Sequence, residues 1–99
     1  MEKIIVQVDA DLEDLIPGYL ENRQVDISNI REALVRGDYD SIRILGHTMK
    51  GTGGGYGFDT ITDIGHALEL AALQKNSQEI RQGVDELADY LYRLQVVYK

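Results

Sequence analysis

The sequence contains no cysteine, which removes disulfides, thiolate nucleophiles and Cys-based zinc sites from consideration. Basic residues are scarce. Ten Lys and Arg stand against seventeen Asp and Glu, a formal charge of −7, which argues against nucleic acid or an anionic membrane surface as the main partner. No apolar run approaches the roughly 18 residues needed to span a bilayer. The stretch IIVQV after Met1-Glu2-Lys3 is ended by Asp9 and is too short for a secretory signal, so a cytoplasmic location is expected. Internal repeats, low-complexity tracts and linkers are also missing. What remains is 99 residues, 43% hydrophobic and 27% charged, the composition of one soluble folded domain over residues 1–99 with a small working core. We expect a monomer.

Apolar residues recur at three-and-four spacing along most of the chain, the mark of amphipathic helices. The single proline, Pro17, suits the first turn of a helix running to about Arg36, with Tyr19, Leu20, Ile27, Ile30, Leu34 and Val35 inward. Gly37 is placed to end it and Asp38 to cap the next, which runs from Tyr39 into a run of glycines. A further helix starts near Phe58 or Asp59 and carries Ile61, Ile64, Leu68, Ala71 and Ala72. After a turn at Lys75-Asn76-Ser77, the last helix holds Ile80, Val84, Leu87, Leu91 and Leu94, then Val97 and Tyr98. Before all of these, Asp9 or Asp11 can cap a short helix containing Leu12, Leu15 and Ile16, and residues 1–8 alternate weakly, as an extended arm would. Short connections between long helices make neighbours antiparallel. The expected fold is all-α: an up-down antiparallel four-helix bundle with a short extra N-terminal helix.

The stretch from Arg43 to Phe58, RILGHTMKGTGGGYGF, holds the chemistry. Tyr39, Ile42, Leu45, Met49 and Tyr56 form its core stripe. At about 100° per residue, His47 falls opposite that stripe, and Lys50 lies on the neighbouring part of the same face. Glycines follow at 51, 53, 54, 55 and 57. Each Gly costs a helix interior about 1 kcal/mol relative to Ala, so the simplest account of the run is that something bulky must approach the His47 face. Ile44 also lies on that side, where an apolar side chain can help dock a partner.

The segment H-T-M-K-G-T-G-G-G-Y-G resembles the signature of histidine-containing phosphotransfer (HPt) domains, His-x-x-Lys-Gly followed by small residues and a further Gly. The likeness extends over most of the chain, including D-L-x-x-L-I-P near the N-terminus and Leu68-Glu69 downstream. Gly46 stands where Ala is usual, and Met49 where Leu is usual. The resemblance implies that His47 is phosphorylated, that Lys50 stabilises the phosphate, and that Gly51 and Gly57 are the motif glycines, Gly51 allowing close approach. Arg43, Ile44 and Gly54 are then the candidate partner contacts. It further implies response-regulator receiver domains as partners, and a hybrid histidine kinase as another.

The residue chemistry agrees. A neutral imidazole is a competent nucleophile near pH 7 and can hold a phosphoryl group covalently. Phosphoryl transfer depends on positioning and countercharge, and Lys50 supplies a mobile ammonium. The motif itself contains no helper carboxylate, no nucleotide-binding loop and no acidic cluster for Mg²⁺. A partner must therefore bring the phosphoryl group and the Mg²⁺ with it, and no cofactor or metal is expected on this chain. The glycine run is not a P-loop, since Lys50-Gly51-Thr52 reverses the required order and follows a helix. Nor is it a dinucleotide fingerprint, because position 56 is Tyr. His66 reads as a partly exposed structural residue. A metal site built from the two histidines with Asp63 or Glu69 is weakly supported, since the histidines are not at i, i+4. The acidic residues, Asp26 among them, read as solvated helix faces. The other functional class compatible with the sequence is a helical adaptor that binds a receiver or kinase without being phosphorylated.

Overall fold

The computed structural model describes residues 2–99. Four helices, α1 (Ile16–Arg36), α2 (Tyr39–Thr52), α3 (Asp59–Leu73) and α4 (Ser77–Arg93), form the bundle, each in contact with two neighbours so that the ring closes between α1 and α4. The ends are set by local chemistry. Pro17 sits in the first turn of α1, and Gly37, at φ 71°, ends it in the left-handed conformation that favours glycine. The Asp38 side chain accepts the Ser41 N–H at the start of α2, and Asn76 accepts the Glu79 N–H at the start of α4. The two-residue connection between α1 and α2 forces them antiparallel.

The interior is where the spacing placed it. Ile27, Ile30, Ile42, Met49, Ile61, Ile64, Leu68, Ala71, Ala72, Ile80, Val84 and Leu87 are all buried, with Phe58 filling the turn before α3. Burying an aliphatic side chain of this kind contributes about 1.5–3 kcal/mol. Val35 departs from expectation. It is 89% exposed, because the inward face of α1 is completed by Ala33 and Ile30, and Val35 lies two positions further round the helix.

The two ends of the chain also depart from it. The expected N-terminal helix is a single 3₁₀ turn, Ala10–Leu12, capped by the Asp9 side chain. The last helix stops at Arg93. Residues Leu94–Tyr98 form a strand, β2, and pair in parallel with a strand β1 at Ile4–Val8, in the register Ile4↔Leu94 to Val8↔Tyr98. The presumed arm is thus half of a two-stranded sheet. Val96, Val97 and Tyr98 favour extended backbone over helix, and β1 supplies the hydrogen-bonding partner. Parallel strands need a long crossover, and here the whole bundle provides it. Val8 is buried against the bundle, with Ile4, Val6, Leu94, Val96 and Tyr98 packed partly on the core, while Ile5 remains exposed.

Candidate functional site

His47 is carried on the middle of α2, opposite Ile42 and Met49, with its side chain 65% exposed. Lys50 follows one turn later on the same face. Both side chains converge on Glu69 of α3. One carboxylate oxygen of Glu69 lies 2.8 Å from His47 Nδ1, and the other lies 2.8 Å from Lys50 Nζ. A carboxylate can only accept, so Nδ1 carries the hydrogen. The neutral ring then has its lone pair on Nε2, the atom turned away from Glu69. The hydrogen bond from Lys50, aided by the one from His47, outweighs partial burial and holds the Glu69 carboxyl below its usual range. Glu69 is therefore ionised at neutral pH.

This cluster depends on an unusually close approach of α2 and α3, and glycine permits it. A Cβ on Gly46 would lie 2.7 Å from the Glu69 nitrogen and 2.8 Å from the Gly65 carbonyl oxygen. A Cβ on Gly65 would meet the Lys50 nitrogen at 2.5 Å, and one on Gly53 would meet the Thr62 nitrogen at 2.6 Å. The two backbones touch at three levels, which brings Glu69 within reach of both the His47 ring and the Lys50 ammonium. The glycine run therefore serves internal packing as well as access. Gly51 and Gly55 face open space, but Gly53 is buried in the α2–α3 contact. Gly54, the candidate partner contact, is exposed and donates its N–H to the Thr62 hydroxyl at 2.8 Å. Gly57, at φ 94°, turns the chain into α3 beneath Val8.

An aromatic stack steadies the 3₁₀ turn Gly54–Tyr56. The Tyr19 and Tyr56 rings are 4.3 Å apart, and Phe58 stacks on Tyr19 at 6.1 Å. The Tyr19 hydroxyl reaches Thr52 at 3.0 Å, and the buried Arg23 guanidinium lies over the Tyr19 ring. Asp26 is no solvated surface carboxylate. It pairs with Arg23 at 2.8 Å in a largely shielded position, where burial raises its pKa against the pull of that Arg.

Of the remaining expected contacts, Arg43 is held by Asp40 at 2.8 Å on α2, and Ile44 is 51% exposed. Ile44 lines a shallow groove between α1 and α2 with Ala33, Arg36 and Leu45. His66 is exposed on α3 and takes no part in the cluster. Glu69, the carboxylate beside His47, lies outside the His-x-x-Lys-Gly motif and is not signalled by it. Its position next to the core residue Leu68, on the helix antiparallel to α2, was the available signal.

No curated protein and no solved structure matches the chain. The sequence model of the Hpt domain matches residues 8–96, nearly the full length. With that match, a four-helix fold and a His-x-x-Lys-Gly segment on the exposed face of a bundle helix, the chain belongs to the Hpt domain family, the helical bundles of histidine phosphotransfer in two-component phosphorelays.

Proposed function

We propose that this chain is the phosphocarrier of a multistep phosphorelay, with His47 taking a phosphoryl group from the aspartyl phosphate of one receiver domain and passing it to the aspartate of another. The observation that carries this reading is the Glu69 carboxylate shared between His47 Nδ1 and Lys50 Nζ. It directs the ring's lone pair to Nε2. In the forward step Nε2 attacks phosphorus, the N–P bond forms, and the P–O bond to the donor aspartate breaks to release its carboxylate. The ring gains positive charge as the bond forms, and ionised Glu69 stabilises that charge through Nδ1–H. The Lys50 ammonium lies one helical turn away, able to swing from Glu69 toward the phosphoryl oxygens. The receiver brings the acyl phosphate and its Mg²⁺.

Ile44 and the groove beside it supply an apolar contact next to the reactive ring, with Leu70 and Leu73 exposed on α3. A small patch of this kind suits a transient encounter. Incubation with phosphorylated receivers should place acid-labile, alkali-stable phosphate on the wild-type chain and none on His47→Gln. Label on the variant, or on His66, would overturn the assignment. Receiver binding without any label would favour the adaptor.

A further inference from the structure

At the end of α2 the helix ladder stops, and a side chain of α3 fills the first missing rung. In an α-helix the Gly54 N–H would donate to the Lys50 carbonyl. Here the Thr62 hydroxyl of α3 is inserted between them. It accepts from Gly54 N at 2.8 Å and donates to the Lys50 carbonyl oxygen at 3.2 Å. The rung before it is intact, with Gly53 N donating to the Met49 carbonyl at 3.0 Å. One hydroxyl therefore uses both its donor and an acceptor site to splice a second helix into the first, at the residue that carries the ammonium. A side chain inserted in this way opens the helix locally, and beyond this rung the chain leaves α2 for the 3₁₀ turn Gly54–Tyr56.

We infer that Thr62 is a positioning residue for Lys50: its hydroxyl fixes the backbone of Lys50 to α3, the helix that also carries Glu69, so that the ammonium swings toward a phosphoryl group on His47 from a fixed base. The inference rests on the reading of His47 and Lys50 as the phosphoryl site. Thr62 touches neither reacting atom and acts only through Lys50. His47 lies before the splice, on intact helix, and Glu69 lies two turns further along α3. The His47–Glu69 hydrogen bond is thus independent of the Thr62 hydroxyl, whereas the placement of Lys50 is not. Without the hydroxyl, Gly54 N–H and the Lys50 carbonyl must either close a normal rung, drawing the glycine turn inward, or stand unpaired. Both shift the last turn of α2.

The test uses the whole chain with a phosphorylated receiver as donor. Thr62→Val keeps the side-chain shape, and Thr62→Ala removes the hydroxyl without placing a methyl against Gly54. Both should slow transfer to His47 by about three- to tenfold, since sub-ångström misplacement of a countercharge is enough to lower a rate on this scale. Thr62→Ser should restore it. The imidazole ¹⁵N signals should keep the Nδ1–H form in all three variants. The deciding measurement is made in a Lys50→Ala background, where Thr62→Val should have no further effect on the rate. An equal slowing with and without Lys50, or no slowing in either loss variant, overturns the inference. So does a change in the His47 tautomer. If the wild-type chain accepts no phosphoryl group on His47, the site reading itself has failed, which the same label detects separately.

Discussion

Replacing Gly46 by Ala tests whether glycine packing, rather than access alone, builds the site. The new methyl would sit 2.7 Å from the Glu69 nitrogen and 2.8 Å from the Gly65 carbonyl oxygen, both backbone atoms, whereas ordinary contact begins near 3.4 Å. The two helices must separate by roughly 0.7 Å to admit it. Glu69 rides on the displaced backbone, so its 2.8 Å contacts with His47 and Lys50 stretch to about 3.5 Å, the limit of a useful hydrogen bond. For stability, helix propensity gains about 1 kcal/mol, while overpacking costs about 1–3 kcal/mol. The expected net loss is about 0–2 kcal/mol, and each kcal/mol lowers the melting temperature of a domain this size by about 4–8 °C. The larger effect should be chemical. The Nδ1–H signal of His47 should lose its hydrogen-bonded shift, and phosphoryl exchange with a receiver should slow. Gly18→Ala in α1, where a Cβ meets nothing within 4 Å, is the control and should be neutral or slightly stabilising. An unchanged imidazole spectrum and exchange rate in Gly46→Ala would refute the claim that close α2–α3 contact positions Glu69.

Two further outcomes follow from the same geometry. Ile44→Glu should slow exchange with the receiver while moving thermal stability by no more than about 0.5 kcal/mol, because the residue is half exposed; a loss in the range of about 2–5 kcal/mol would mark it as core instead. Glu69 has a lowered pKa in the folded chain, chiefly through its bond from Lys50, so its contribution to stability is present above the ordinary Glu range and disappears as pH falls through the folded value. Denaturation between about pH 6 and pH 3 should therefore show a shallower acid loss in Glu69→Gln than in wild type, and parallel curves would contradict the ion pairing.

The helices and most of the core were legible because their signals are local. Ile42 and Met49 on α2, and Ile61, Ile64 and Leu68 on α3, follow helical spacing directly, and the opposition of His47 to that stripe fixes its exposure. Glu69 was harder to read, since its role depends on how two helices sit side by side. The contacts give the rule: residue 46 meets 69, 50 meets 65 and 53 meets 62, a helical hairpin folded about Gly57 and Phe58. With that centre, residue 68 falls level with His47, and the carboxylate next to it, Glu69, is legible from numbering alone. Gly51 and Gly55 do face open space, but Gly53 is packed against Thr62, and sequence shows a missing side chain but not what fills its place. Leu94–Tyr98 was read as helix for the opposite reason. Leu94 continues the three-and-four pattern of α4, and nothing nearby in the chain reveals a partner strand some ninety residues earlier.

The pairing of those two strands sets an order on folding. Joining Ile4–Val8 to Leu94–Tyr98 in an otherwise open chain closes a loop of about 90 residues, an entropic cost on the order of 4 kcal/mol. Five residue pairs of parallel ladder cannot offset that early, and a two-stranded sheet has little stability alone. Once the helices have packed, the same ends are already neighbours and the cost has been met by the bundle. The strands should then close last and open first, so their amides should exchange with solvent faster than those of the helices. Because Val8 lies over Gly57, such opening uncovers the bend between α2 and α3, while His47, Lys50 and Glu69 are held by the helices themselves. The cluster of His47, Lys50 and Glu69 is thereby insulated from opening of the strand pair.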